Sequence, residues 1–97
     1  MYKMKIYMDT LSAVAEETEV DAAKIISGCK EEDVIDARAI LIQLLFEQGL
    51  YPTQISGFTS ICHRSVNRFL WDFKDRMESR KMVRLYYDVL RKKLGLT

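Results

Sequence analysis

The stretch that decides the fold is PTQISGFTSICHRSVNRFLWDF, residues 52–73. Tyr51-Pro52-Thr53 puts proline where it opens a short helix, running through Ile55 to about Gly57. Phe58-Thr59-Ser60 reads as a turn. From about Ile61 to Ser79 the apolar residues Val66, Phe69, Leu70, Phe73 and Met77 recur at the three-and-four spacing of a helix. Two helices joined by so short a turn make a helix-turn-helix. The second helix of that motif lies in the major groove and offers its N-terminal residues to base edges. Here those residues are Ser60, Cys62, His63, Arg64, Ser65, Asn67 and Arg68. Arginine can read guanine and asparagine adenine, while hydroxyls and cations can hold phosphate oxygens. The plain alternative is an ordinary helical hairpin with a polar outer face.

Upstream, Asp9 or Thr10 can cap a first helix carrying Leu11, Val14 and Ala15. A short second helix follows Asp21 and ends at Gly28, a suitable residue just past a helix end. Val34 to Gln48 is the longest apolar helix, with Val34, Ala37, Ile40, Leu41, Leu44 and Leu45 on one face and Ile42 and Phe46 widening it. Such a helix belongs at the centre of a bundle, and Gly49 ends it. Downstream, a last helix over about Arg80–Leu94 turns Val83, Tyr86 or Tyr87, Leu90 and Leu94 inward and leaves Arg80, Lys81, Arg84, Arg91, Lys92 and Lys93 outside. Only Tyr2, Met4, Ile6 and Met8 alternate with period two. They suggest a short N-terminal strand that could pair across a dimer. The expected class is an all-α, compact multi-helix bundle, one domain over residues 1–97 with its core in 10–94.

Composition agrees with a single globular domain: 97 residues, 48% hydrophobic, 30% charged and one proline. The net charge is only +1, but the halves differ. Residues 1–50 carry 5 basic and 10 acidic side chains, a net of −5; residues 51–97 carry 10 and 4, a net of +6. That split suggests a face for an anionic partner, nucleic acid first among them. The equally open alternative is that both charge sets are solvated helix faces.

Catalysis is not expected. His63 is the only histidine, and two cysteines without a CxxC spacing do not make a zinc site. A Cys62–His63 nucleophile pair would need an orienting group and an oxyanion hole, and nothing marks either. Cys29 and Cys62 read as small, part-buried apolar residues. No phosphate-binding loop or paired-carboxylate motif occurs, so no cofactor or metal is expected. Without a leader or a membrane-length apolar run, the expected location is the cytoplasm and no membrane partner is implied.

Several short blocks, in order, resemble the C-terminal DNA-binding domain of the bacterial replication initiator DnaA. Val14-Ala15-Glu16, Val20 and Ile25-Ile26-Ser27 are similar to the family's "VAEYYGV…DLLS". Ala37-Arg38-Ala39-Ile40 stands where "ARQIA" begins, Ile55-Ser56-Gly57-Phe58 resembles "EIGxxFG", and Cys62-His63-Arg64-Ser65-Val66 resembles "DHTTV". The likeness runs from about Thr10 to Leu94. It implies a six- or seven-helix, Trp-repressor-like domain that binds duplex DNA. By position it implies base or backbone contacts for His63, Arg64 and Ser65, and places Arg38 near the DNA.

The departures are informative. The family's arginine-rich loop before "ARQ" is Gly28-Cys29-Lys30-Glu31-Glu32-Asp33 here, its glutamine is Ala39, its first threonine is Arg64 and its aspartate is Cys62. A minor-groove contact and the family's own target box are therefore not expected, and no ATPase module lies within these residues. The sequence thus predicts a double-stranded-DNA-binding regulator of replication or transcription. Its site residues are Arg38, His63, Arg64, Ser65, Asn67, Arg68 and Lys74, with a homodimer or protein partner to add affinity. The competing expectation is a protein–protein interaction module that kept the fold and lost DNA binding, which the acidic segment 30–33 favours.

Overall fold

Helix α3, Glu32–Glu47, is apolar on almost every side, and ten of its residues from Val34 to Leu45 are buried. A helix with that composition must be covered all round. In the computed structural model, which describes residues 2–96, each of the other five helices packs on it. They are α1 (Tyr2–Thr18), α2 (Ala22–Ile25), α4 (Pro52–Thr59), α5 (His63–Ser79) and α6 (Lys81–Lys93). Among the described residues the chain is all-helical. The core gathers Tyr7, Leu11 and Val14 of α1 with Ile55 of α4, Val66 and Phe73 of α5, and Val83, Tyr87 and Leu90 of α6 around α3. Tyr87 is thus the inward tyrosine of α6.

The helix ends explain the layout. Gly49 takes φ +101° after α3, and Gly95 takes φ +72° after α6. At each, the next residue's N–H reaches back five positions, Leu50 to Leu45 O at 3.2 Å and Leu96 to Arg91 O at 2.8 Å. This satisfies carbonyls the helix leaves open, in a backbone shape that glycine adopts without penalty. Pro52 opens α4, and Gln54 Oε1 accepts the Tyr51 N–H at 2.9 Å.

Three expectations are corrected. Tyr2–Met8 is helical, the first two turns of α1, so it offers no strand for pairing across a dimer. Tyr7, Thr10, Leu11 and Val14 share one buried helical face, and Tyr7 stacks on Phe58 at 5.3 Å. A four-residue alternation cannot outweigh that packing. Gly28 does not cap α2, which ends at Ile25, and it is not in the left-handed region. Phe46, expected to widen the apolar face of α3, is exposed.

Candidate nucleic-acid interface

Helices α4 and α5 are separated by Ser60, Ile61 and Cys62. Ser60 lies in the left-handed region at φ +64° and closes α4. Hydroxyls fix the turn on both sides. Ser56 Oγ donates to Ile61 O at 2.6 Å, Thr59 Oγ1 donates to Ile55 O at 2.7 Å, and Thr59 Oγ1 accepts the Ile61 N–H at 3.2 Å. Val66 and Phe73 then anchor α5 in the core, which turns the opposite side of its first turns to solvent.

His63, Arg64, Asn67, Arg68 and Lys74 are exposed, and Ser65 is half-buried. By helical periodicity His63, Asn67 and Lys74 follow one stripe, and Arg64 and Arg68 the adjoining one. Asn67 Nδ2 lies 3.4 Å from His63 Nε2. Arg64, Arg68 and Lys74 form no ion pair among the described residues. Cys62, at the N-cap of α5, is exposed rather than part-buried. The backbone N–H groups of Arg64 and Ser65 hold its thiol below the ordinary cysteine range.

Arg38 is buried behind this group and lines one cleft with Ser65 and Arg68. It is 5% exposed, with Nε on Ile25 O at 2.7 Å and Nη2 on Ser27 O at 2.7 Å and Cys29 O at 3.0 Å. The carbonyls at the end of α2 and in the segment after it have no helical partner, and the guanidinium supplies the donors. That is also why α2 needs no capping glycine. Arg38 organises the segment behind the head of α5 instead of standing on the surface.

Part of the charge split between the halves has an internal explanation. Arg76 and Arg80 clamp the buried Asp36 at 3.2 and 2.7 Å, and Arg80 also reaches Glu32 at 3.4 Å. Arg91 pairs with Glu47 at 2.7 Å, beside a Tyr87 hydroxyl that donates to the same carboxylate. Lys93 meets Glu16 and Glu17 at 3.1 and 3.6 Å. Every one of these pairs joins a second-half cation to a first-half acid. Arg80 and Arg91, expected to lie free outside, are therefore tied into the fold. In the acidic segment, Glu31 is held by Lys24 at 3.1 Å.

Sequence reading missed Trp71, which is 88% exposed on the outer side of α5 between the two polar stripes. Its signal was available: position 71 lies off the apolar stripe of Val66, Leu70 and Phe73. Also missed was a cavity of about 430 Å³ behind the head of α5, between it and the segment that Arg38 holds. Among the described residues no helix is long and apolar enough to cross a membrane, and no three His, Cys, Asp or Glu side chains converge as metal ligands. Comparison with protein-family models, curated proteins and solved structures finds no match for the chain.

Proposed function

We propose that the protein is a non-enzymatic, sequence-specific binder of duplex DNA, with α4 and α5 as a helix-turn-helix and the head of α5 as its reading edge. One observation carries this reading: His63, Arg64, Asn67 and Arg68 stand exposed on the first two turns of α5, and neither arginine has an acidic partner among the described residues. Elsewhere in the second half, Arg76, Arg80, Arg91 and Lys93 are matched to carboxylates. The ordered resemblance to the DnaA C-terminal domain adds a role in replication or transcription control. The arginine expected beside DNA, Arg38, acts here by positioning the chain behind the reading edge.

Selection of a preferred site from random duplexes, followed by titration at several salt concentrations, tests the proposal. Arg64, Arg68 and Lys74, with a loop or terminal lysine, would neutralise about 3–5 phosphates and give a log–log salt slope near −3 to −4. A slope of zero with the protein folded sinks it. Exposed Trp71 then favours the second reading, a protein-interaction module, since tryptophan is prominent among interface hot spots.

A further inference from the structure

The cavity behind the head of α5, which shares Ser65 and Arg68 with the proposed reading edge, carries an inference that does not require DNA binding. Its floor includes Arg38, a side chain 5% exposed whose charge faces no carboxylate within ion-pair distance among the described residues. Nε and Nη2 are taken by backbone carbonyls, while Nη1 makes no hydrogen bond among the described residues. A buried cation matched only by carbonyl dipoles is costly. An anion within reach of that guanidinium relieves the cost.

The walls say what kind of anion. Among the described residues Lys30 and Arg68 line the cavity without acidic partners, and Asp72 is the only carboxylate there. Arg76 also lines it but is matched to Asp36. Three unpaired cations against one acid leave an excess of about two charges, which a phosphate monoester matches and a carboxylate half-matches. Ile35, Ile61 and Phe69 supply apolar surface beside the cations. A volume of about 430 Å³ fits a small molecule, within the usual range of roughly 300–1,000 Å³. We propose that this cavity binds a small organic phosphate, its phosphate group against Arg38, Lys30 and Arg68 and its apolar body against Ile61 and Phe69.

The test is amide NMR of the full chain titrated with phenyl phosphate, inorganic phosphate, benzoate and a short duplex DNA. Phenyl phosphate is expected to give saturable shifts at Ser27, Ile61, Ser65 and Phe69, and to bind more tightly than either inorganic phosphate or benzoate. Exposed Lys30 and Arg68 allow Lys30→Gln and Arg68→Gln without disturbing the core. Each should weaken phenyl phosphate about tenfold, the worth of one charge-assisted hydrogen bond. Arg38→Met should abolish binding if it folds, and the two rim variants decide the matter if it does not. Unchanged affinity in the Lys30→Gln, Arg68→Gln double variant overturns the proposal. So does a cavity whose amides respond to duplex DNA but not to phenyl phosphate, because its anion would then be a backbone phosphate. Phenyl phosphate binding in a protein that ignores DNA upholds this inference while the DNA reading falls.

Discussion

The head of α5 and the stretch from Arg80 to Lys93 are both rich in cations, yet the fold treats them differently. Arg80, Arg91 and Lys93 are drawn onto Asp36, Glu47, Glu16 and Glu17 of α1 and α3. Arg64 and Arg68 meet no acid among the described residues and remain exposed beside Asn67. Charge count along a sequence therefore does not mark a binding face. Charge left over after the fold has matched its own acids is the better measure, and it sets Arg64 and Arg68 apart from Arg80, Arg91 and Lys93, which hold the bundle together. Among the described residues Lys81, Arg84 and Lys92 are unpaired as well, but they sit on a different helix from His63 and Asn67.

The largest effect should come from breaking the matched side. Asp36 is 8% exposed and takes two arginines, one from α5 and one from the junction with α6. Removing one partner of a fully buried pair costs about 3–5 kcal/mol, and the part-solvated arginines here reduce that to roughly 2–3 kcal/mol for Asp36→Ala. Urea denaturation should show the loss, and adding Arg80→Ala should recover part of it. A variant as stable as the parent would mean that the clamp is ornamental and that the two regions do not differ as described.

On the other side, Arg64→Ala should leave stability within about 0.5 kcal/mol, as exposed substitutions usually do. Discrimination at one or two base pairs of the selected site should fall by about 1–3 kcal/mol. Arg84→Ala, another exposed and unpaired arginine, should leave the preferred sequence unchanged. Equal losses of discrimination in both variants, measured by competition against mismatched duplexes, would erase the distinction between α5 and α6.

The parts legible in the sequence are those whose cause is local. The apolar period of α3, α5 and α6, Gly49 after α3 and Pro52 at the start of α4 all act within a few residues, and the helices lie close to where they are expected. Arg38 was visible as an arginine but not as a buried one. Its partners are backbone carbonyls 9 to 14 residues upstream, and carbonyls carry no side-chain signal. The clamps on Asp36 and Glu47 span 40 and 44 residues, so only the packing of α5 and α6 on α3 creates them. The start of α1 was obscured for the opposite reason: four alternating residues imitate a strand until Tyr7 finds Phe58.

A smaller effect reports on the head of α5 without any DNA. The Arg64 and Ser65 N–H groups favour the Cys62 thiolate, so the pH profile of its alkylation by iodoacetamide should lie below that of the same cysteine in the urea-unfolded chain. At neutral pH the folded protein should react several-fold faster, because the thiolate is the nucleophile. A Cys29→Ser background keeps the signal to one site. Coincident profiles would show that the start of α5 does not attract negative charge, which weakens its claim over α6.

The smallest effect concerns the turn that sets α5 against α4. Ser60 sits at φ +64°, where a Cβ crowds the backbone and costs about 1–2 kcal/mol. Ser60→Gly removes that crowding but gives the unfolded chain more freedom, worth about 0.4–1 kcal/mol in the other direction. No hydrogen bond from the Ser60 hydroxyl is lost among the described residues, since Ser56 and Thr59 supply the side-chain bonds of the turn. The Ser60 N–H keeps its bond to Ser56 O at 2.9 Å. The net expectation is a gain of roughly 0.5–1 kcal/mol in thermal or urea denaturation. The angle between α4 and α5 should not change, so site preference should not either. A destabilised Ser60→Gly would mean that the serine is not left-handed in solution, and α5 would then leave α4 in another direction. In that event the exposed set at the head of α5 could not be presented as one edge, and the contrast with α6 would rest on charge alone.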